Sequence, residues 1–167
     1  MMPSIMAELS GLAYRENIML RRRVTLTLFF LYAVSVITIT IFPIRVRPAA
    51  YWAGEPWWTM LHWLPGDVDG PSFVLNVIMF IPLGILLPLL RPTLDPVRRL
   101  AGHAAAASLS IELTQFVLGM TLGSRRTVDI NDLIANTAGA LVGLLILRLA
   151  LPSRVHRATS IAGRPPA

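Results

Sequence analysis

The sequence contains no cysteine and no lysine, and it is poor in charge of either sign. Without cysteine, disulfides, thiolate nucleophiles and cysteine-based metal sites are excluded. Charged residues make up 14% of the 167 residues, against about 25% in ordinary soluble domains. Hydrophobic residues supply 54%, and the mean hydropathy is +0.63. Because a soluble fold of this size needs more polar surface, the composition predicts an integral membrane protein.

Four apolar segments are long enough to cross about 30 Å of hydrocarbon, which needs about 20 helical residues. They are residues 24–43, 72–90, 100–122 and 133–151. Because lipid does not tolerate unpaired backbone groups, each segment is predicted to be helical. We therefore expect an all-α, four-helix membrane bundle over residues 24–151, between an N-terminal segment 1–23 and a tail 152–167. The tail and most of the chain before Arg21 are expected to be disordered.

Most of the 15 basic residues, all arginines, lie at one end of the predicted spans. They precede the first span, separate the second from the third, or follow the fourth: Arg15, Arg21, Arg22, Arg23, Arg91, Arg98, Arg99, Arg148, Arg154, Arg157 and Arg164. The positive-inside rule then places both termini in the cytoplasm. Membrane orientation thus accounts for the net charge of +6, and we expect no nucleic-acid partner.

The first outer loop, residues 45–71, holds all four tryptophans. Pro56 at a first helical position predicts a short helix there. Trp57, Trp58, Leu61 and Leu64 would share one face of it, in the outer membrane interface. Two interpretations stay open, which are simple anchoring of the loop and a lid over a site.

One ionisable side chain, Glu112, falls near the middle of the apolar segment 100–122. A carboxyl group in hydrocarbon is costly and usually functional. At a rise of about 1.5 Å per residue, Asn76, Gln115 and Asn136 fall in the outer half of the bilayer, with Glu112 beneath them near the midplane. Glu112 has three interpretations: a structural hydrogen-bonding group between helices, a general acid or base, or a binding group for a cationic or hydroxylated ligand.

The fourth span begins with a regular polar pattern. Its members step by three, four, three and four residues and share one helix face: Asp129, Asp132, Asn136, Gly139 and Gly143. The two glycines form a G-x-x-x-G motif, which lets another helix approach closely. Asp132 has a second interpretation as the cap of the helix N-terminus. For Asp129 we expect pairing with Arg125 or Arg126.

These residues resemble the VanZ-like family of small bacterial membrane proteins. The resemblance is carried by three ordered stretches and covers about half of the chain, residues 71–151. The stretches are Asn76-Val-Ile-Met-Phe-Ile-Pro-Leu-Gly84, Ile111-Glu-Leu-Thr-Gln115, and Arg126-Thr-Val-Asp-Ile-Asn-Asp132 continuing through Asn136-Thr-Ala-Gly-Ala140 to Gly143. The family's polar positions fall on Asn76, Glu112, Gln115, Arg126, Asp129, Asp132 and Asn136.

The family is named for a protein associated with low-level resistance to the glycopeptide teicoplanin. The resemblance thus implies a multi-pass protein of the bacterial cytoplasmic membrane with a role at the cell envelope, linked to glycopeptide susceptibility. We expect a site that opens to the outer face and binds or modifies a lipid-linked envelope molecule. Membrane lipids are the expected partners, and no cofactor or metal is expected.

Each candidate residue has an expected role. Glu112 is the candidate acid or base, oriented by Gln115, with Asp129 and Asp132 beside it. The candidates for ligand binding are Asn76, Arg125, Arg126 and Asn136. The candidates for helix packing are Gly84, Gly139 and Gly143. The alternative is a non-catalytic scaffold or accessory subunit, in which polar groups and the glycine face hold helices together within one chain or between copies. A small transporter would need an oligomer, and the sequence has no visible inverted repeat.

Overall fold

The computed structural model describes residues 2–42, 54, 56–66, 68–122 and 128–151, and within them the chain forms four α-helices. The helices are α1 (Met2–Ile41), α2 (Gly70–Leu90), α3 (Val97–Leu122) and α4 (Ile130–Ala150). Each contains a stretch long and apolar enough to cross a membrane. The predicted all-α, four-helix membrane bundle is therefore confirmed, and each predicted span overlaps one of these helices.

Helix α1 begins much earlier than predicted. It is 40 residues long and starts at Met2, so the expectation of disorder before Arg21 is wrong. Residues 2–23 are mostly Met, Ala, Leu, Glu and Arg, which are good helix formers, and this composition favours continuation of the helix. A helix of this length is ~60 Å long, which is about twice the thickness of a bilayer core.

Helices α2 and α4 pack with their backbones in contact. A Cβ atom added to Gly139 or Gly143 of α4 would overlap a carbonyl oxygen of α2, and one added to Gly84 of α2 would overlap that of Ala140. Only glycine permits this approach, which also allows Cα–H···O contacts between the helices. The glycine face of α4 is therefore used within the chain, against α2.

Helices α1 and α3 complete the bundle around this pair. Phe80 and Leu83 of α2, Ala104 of α3 and Ala140 of α4 form one buried apolar cluster. On the α1 side, the Tyr32 hydroxyl donates to the backbone carbonyl of Met79 at 3.0 Å. Because α1 touches α2 and α3 more than α4, it lies at the periphery of the α2–α4 pair.

Contacts at the two ends of the bundle fix how α3 and α4 are staggered. Near the start of α3, Asp95 accepts from Arg148 of α4 at 3.3 Å. At the other end, Glu112 contacts Asp129, the residue just before α4. Helix α3 continues from Glu112 to Leu122, which carries it ~15 Å past the start of α4. Following the orientation predicted from the arginines, the end with Asp95 is called the inner end below, and the end with Asp129 the outer end.

Two short strands join the first outer loop to the start of α4. Strand β1 (Leu61–His62) pairs in parallel with β2 (Val128–Asp129), so that His62 lies opposite Asp129. The helix expected in this loop is a single 3-10 turn, Trp57–Met60. Leu61 and Leu64 therefore do not share a helix face with Trp57 and Trp58. The turn ends at Met60, Leu61 belongs to β1, and Leu64 follows that strand.

Candidate functional site

Asp129 caps the N-terminus of α4. Its Oδ1 accepts from the backbone amide and from the side-chain amide of Asn131, at 2.8 and 2.9 Å. The amide oxygen of Asn131 in turn accepts from the backbone of Gly66 at 3.2 Å. The interpretation of Asp132 as the helix cap is therefore wrong, because α4 begins three residues earlier than the predicted span. Arg125 and Arg126, the expected partners of Asp129, lie outside the described residues.

Glu112 is buried beside this cap. Its side chain is 4% exposed, and Oε2 accepts from the backbone amide of Asp129 at 3.3 Å. Glu112 therefore lies level with the start of α4, and the expectation that it is the deepest polar group is wrong. The stagger of α3 against α4 explains the error, because counting residues along each span assumed that all helices end at the same height.

Asp132 lies in the first turn of α4 and faces both α2 and α3. The side-chain amide of Asn76, Asp129 and Glu112 are all close enough to the Asp132 carboxyl group to interact with it electrostatically. We call Glu112, Asp129 and Asp132 the acidic cluster. The N-terminus of α4 carries partial positive charge, which favours carboxyl groups at this position.

Asn136 lies one turn deeper on α4 and is almost fully buried, with 2% of its surface exposed. Its Nδ2 donates to the Oγ atom of Ser108 on α3 at 2.8 Å, while its Oδ1 has no hydrogen-bond partner among the described residues. The sequence interpretation missed Ser108. The signal was available, because Ser108 precedes Glu112 by four residues and so shares its helix face.

Gln115 does not belong to this group. Its Nε2 donates to the backbone carbonyl of Thr40 at 2.8 Å, which ties α3 to the end of α1. The expectation that Gln115 orients Glu112 is therefore wrong, since Glu112 points toward α4 and Gln115 toward α1.

The first outer loop covers Glu112. A cavity of about 160 Å³ lies between the loop, α3 and the start of α4, with Glu112 and Asp129 on one wall and His62 and Trp63 on another. The β1–β2 pairing holds the loop in this position. Trp57 also lies edge-on to Phe116 of α3, with ring centroids 6.5 Å apart. These contacts place the described part of the loop beside Glu112 and Asp129, and the lid interpretation stays a prediction.

A second cavity lies on the opposite side of α3. It is an open cavity of about 410 Å³ between α1, α2 and α3. Its lining is mostly apolar, with four polar side chains: Tyr32, Thr40, Ser110 and Thr114. Its walls and volume suit a hydrocarbon chain.

Within the described residues, no group of three or more His, Asp or Glu side chains is arranged to hold a metal ion. Among the described residues, the polar groups at the site are carboxyl groups, amides, the Ser108 hydroxyl and the His62 imidazole. These groups can accept hydrogen bonds, bind donors and exchange protons with a bound molecule.

The family comparison agrees with the motif positions. A family model described as VanZ/LLP1 matches residues 29–151, which is more than half of the chain and includes all of α2, α3 and α4. No curated protein and no solved structure matches the chain.

Proposed function

The chain belongs to the VanZ/LLP1 family, and we propose that its outer-end site binds or modifies a lipid-linked molecule of the bacterial cell envelope. The single observation that carries this proposal is the convergence of Glu112, Asp132, Asn76 and Asn136 at the outer end of membrane-spanning helices. Buried ionisable groups in membrane helices are costly and usually mark a functional site.

The proposal assigns the two parts of an amphiphilic molecule to different surfaces. The apolar tail lies along the helices, where the cavity between α1, α2 and α3 offers one apolar surface of suitable size. The polar headgroup meets the acidic cluster, with Arg125 or Arg126 supplying positive charge for a phosphate. Asn76 and Asn136 donate or accept hydrogen bonds to the same headgroup.

Glu112 is the proposed acid or base. It is buried, and it lines a cavity between the outer loop, α3 and the start of α4, where a bound group could reach it. Its contact with the Asp129 amide holds one carboxyl oxygen in place. The other carboxyl oxygen is then the one that exchanges a proton with a bound headgroup.

The experiment expresses Glu112→Gln and Asp132→Asn in a bacterial strain that lacks the native protein, beside the wild type. Asp69→Asn is the matched control, because it removes one negative charge at an exposed outer position and retains a good helix cap. Membrane abundance, the envelope lipid profile by mass spectrometry and teicoplanin susceptibility are measured in the same cultures.

We expect both site variants to reach normal abundance and to leave the lipid profile of the deletion strain uncorrected, while Asp69→Asn restores it. The molecule that accumulates would identify the ligand. If both site variants restore the profile and the susceptibility as well as the wild type does, the proposal is wrong.

A non-catalytic scaffold is the second candidate, and one observation favours it. The contacts from Glu112 to Asp129 and from Asn136 to Ser108 both join α3 to α4, as hydrogen bonds that hold a bundle together would. This function predicts that Glu112→Gln lowers abundance and changes the lipid profile only in proportion to that loss.

A further inference from the structure

The acidic cluster and its surroundings offer acceptors and negative charge. Among the described residues, the groups that converge at the outer end are these: Asn76, Ser108, Glu112, Asp129, Asp132 and Asn136. Three are carboxyl groups, and none is an arginine. A ligand group that binds among them must therefore carry hydrogen-bond donors, and a positively charged group is favoured over a negatively charged one.

Asn136 supplies an independent indication of a missing donor. Its Oδ1 is buried and has no partner within the part of the chain that the structure describes, although buried acceptors in folded proteins are rarely left unpaired. Asn136 lies one turn below Asp132 on α4, and its partner Ser108 lies one turn below Glu112 on α3. Asn136 and Ser108 thus lie one turn beneath Asp132 and Glu112, where α4 faces α3.

The cavity beside Glu112 has walls that suit an alkylammonium group. Its volume is about 160 Å³, and apart from His62, Glu112 and Asp129 its lining is mainly apolar, with Trp63 among the lining residues. Carboxyl groups neutralise an ammonium ion and accept its protons, while an aromatic face attracts the cation.

Building on the proposed function, we propose that the headgroup held by the acidic cluster carries a primary ammonium, and that its source is an aminophospholipid. An ammonium has three N–H donors. Glu112 lines the cavity and accepts one of them. The other two acceptors of the proposal are Asp132 and the oxygen of Asn136, which lie on α4 outside the lining of that cavity. A lipid is favoured over a soluble amine because the site lies at the end of membrane-spanning helices and beside apolar walls.

The test measures lipid retention by the purified full-length protein in detergent, using native mass spectrometry. Phosphatidylethanolamine is compared with phosphatidylcholine and phosphatidylglycerol of the same acyl chains. Phosphatidylcholine keeps the positive charge but has no N–H donor, and phosphatidylglycerol has hydroxyl donors but no positive charge. Free ethanolamine is added as a competitor. The proteins are the wild type, Glu112→Gln, Asn136→Leu and the control Asp69→Asn.

We expect the wild type and Asp69→Asn to bind phosphatidylethanolamine at least about tenfold more tightly than the other two lipids, as the loss of one charge-assisted hydrogen bond would give. Glu112→Gln and Asn136→Leu should each lose most of this preference. Free ethanolamine should compete weakly.

Each other outcome contradicts a stated part of the proposal. Equal retention of all three lipids, weakened together by Glu112→Gln, overturns the ammonium and leaves the proposed function standing. A preference for phosphatidylglycerol also overturns the ammonium and leaves the proposed function standing. Strong competition by free ethanolamine overturns the lipid source. Retention that Glu112→Gln does not change for any lipid overturns both proposals. The lipid preference of the wild type is decisive even if a variant fails to fold.

Discussion

Helix α4 has two interfaces that are built in opposite ways. Against α2 it presents glycines, and the two backbones touch without intervening side chains. Against α3 it presents Asn136 and the capped N-terminus, and the contacts are hydrogen bonds between polar groups. The first interface consists of close backbone contacts at the glycines. The second contains a buried acceptor, Asn136 Oδ1, with no partner among the described residues. We infer that the α2–α4 interface is organised for stability and the α3–α4 interface for binding.

The largest effect is expected from breaking the glycine interface. In Gly139→Ala, the added Cβ would overlap the backbone carbonyl of Val77, which cannot move without moving α2. We expect the free energy of unfolding in mixed detergent micelles to fall by about 3 kcal/mol or more, together with a loss of membrane abundance.

Gly102→Ala is the matched control for this change. Gly102 lies in α3, where an added Cβ meets no atom within 4 Å. Alanine there should be neutral or should stabilise by up to about 1 kcal/mol, because glycine is the poorer helix former. Equal effects of the two substitutions would show that backbone contact between α2 and α4 does not hold the bundle together.

A smaller effect is expected from the polar interface, and it should depend on which partners are removed. Ser108→Ala leaves Asn136 buried without any partner, so the free energy of unfolding should fall by about 1–3 kcal/mol. The double variant Ser108→Ala with Asn136→Leu removes both partners and should recover most of that loss, which a double-mutant cycle measures.

The double variant also separates stability from function. It should remain folded and still fail to correct the lipid profile of the deletion strain, because the acceptors at the floor of the site are gone. If the double variant is less stable than either single variant, the α3–α4 contacts are needed for folding. The inference that this interface is organised for binding and not for stability would then be wrong.

The smallest effect is expected at the inner end. Arg148 and Asp95 form an ion pair at 3.3 Å, with about a third of each side chain exposed, 35% and 31%. Such pairs contribute roughly 0–1 kcal/mol, so Arg148→Gln should change the free energy of unfolding by no more than about 1 kcal/mol. Lipid retention at the outer end should be unchanged, and a marked loss of retention would show that the two ends are coupled.

The sequence predicted the helices well and the heights of their side chains poorly. Hydrophobic length gave the four membrane helices, because lipid leaves the backbone no alternative to helix. The step of four correctly placed Gly139 and Gly143 on one face of α4, whereas Asn136, predicted on the same face, contacts α3. They did not tell which helix packs there, since a glycine face suits a neighbour within the chain as well as a second copy.

The errors at the site have one cause in common, which is that helix ends and staggers depend on tertiary contacts. Asp132 was interpreted as a cap because the apolar run begins at Leu133, whereas α4 begins at Ile130. Glu112 was placed too deep because α3 extends past the start of α4. Ser108 was overlooked because serine in a membrane helix often bonds only its own backbone, as Ser110 does here with Ala106 at 2.8 Å.

Glu112→Gln provides the most direct measurement, with the free energy of unfolding and the correction of the envelope lipid profile determined for the same variant. Glutamine keeps an oxygen that can accept from the Asp129 amide, so we predict a free energy of unfolding within about 1 kcal/mol of the wild type, with no correction of the lipid profile. The opposite result, a loss of several kcal/mol with a lipid profile that follows protein abundance alone, would show that Glu112 is structural and would contradict a functional α3–α4 interface.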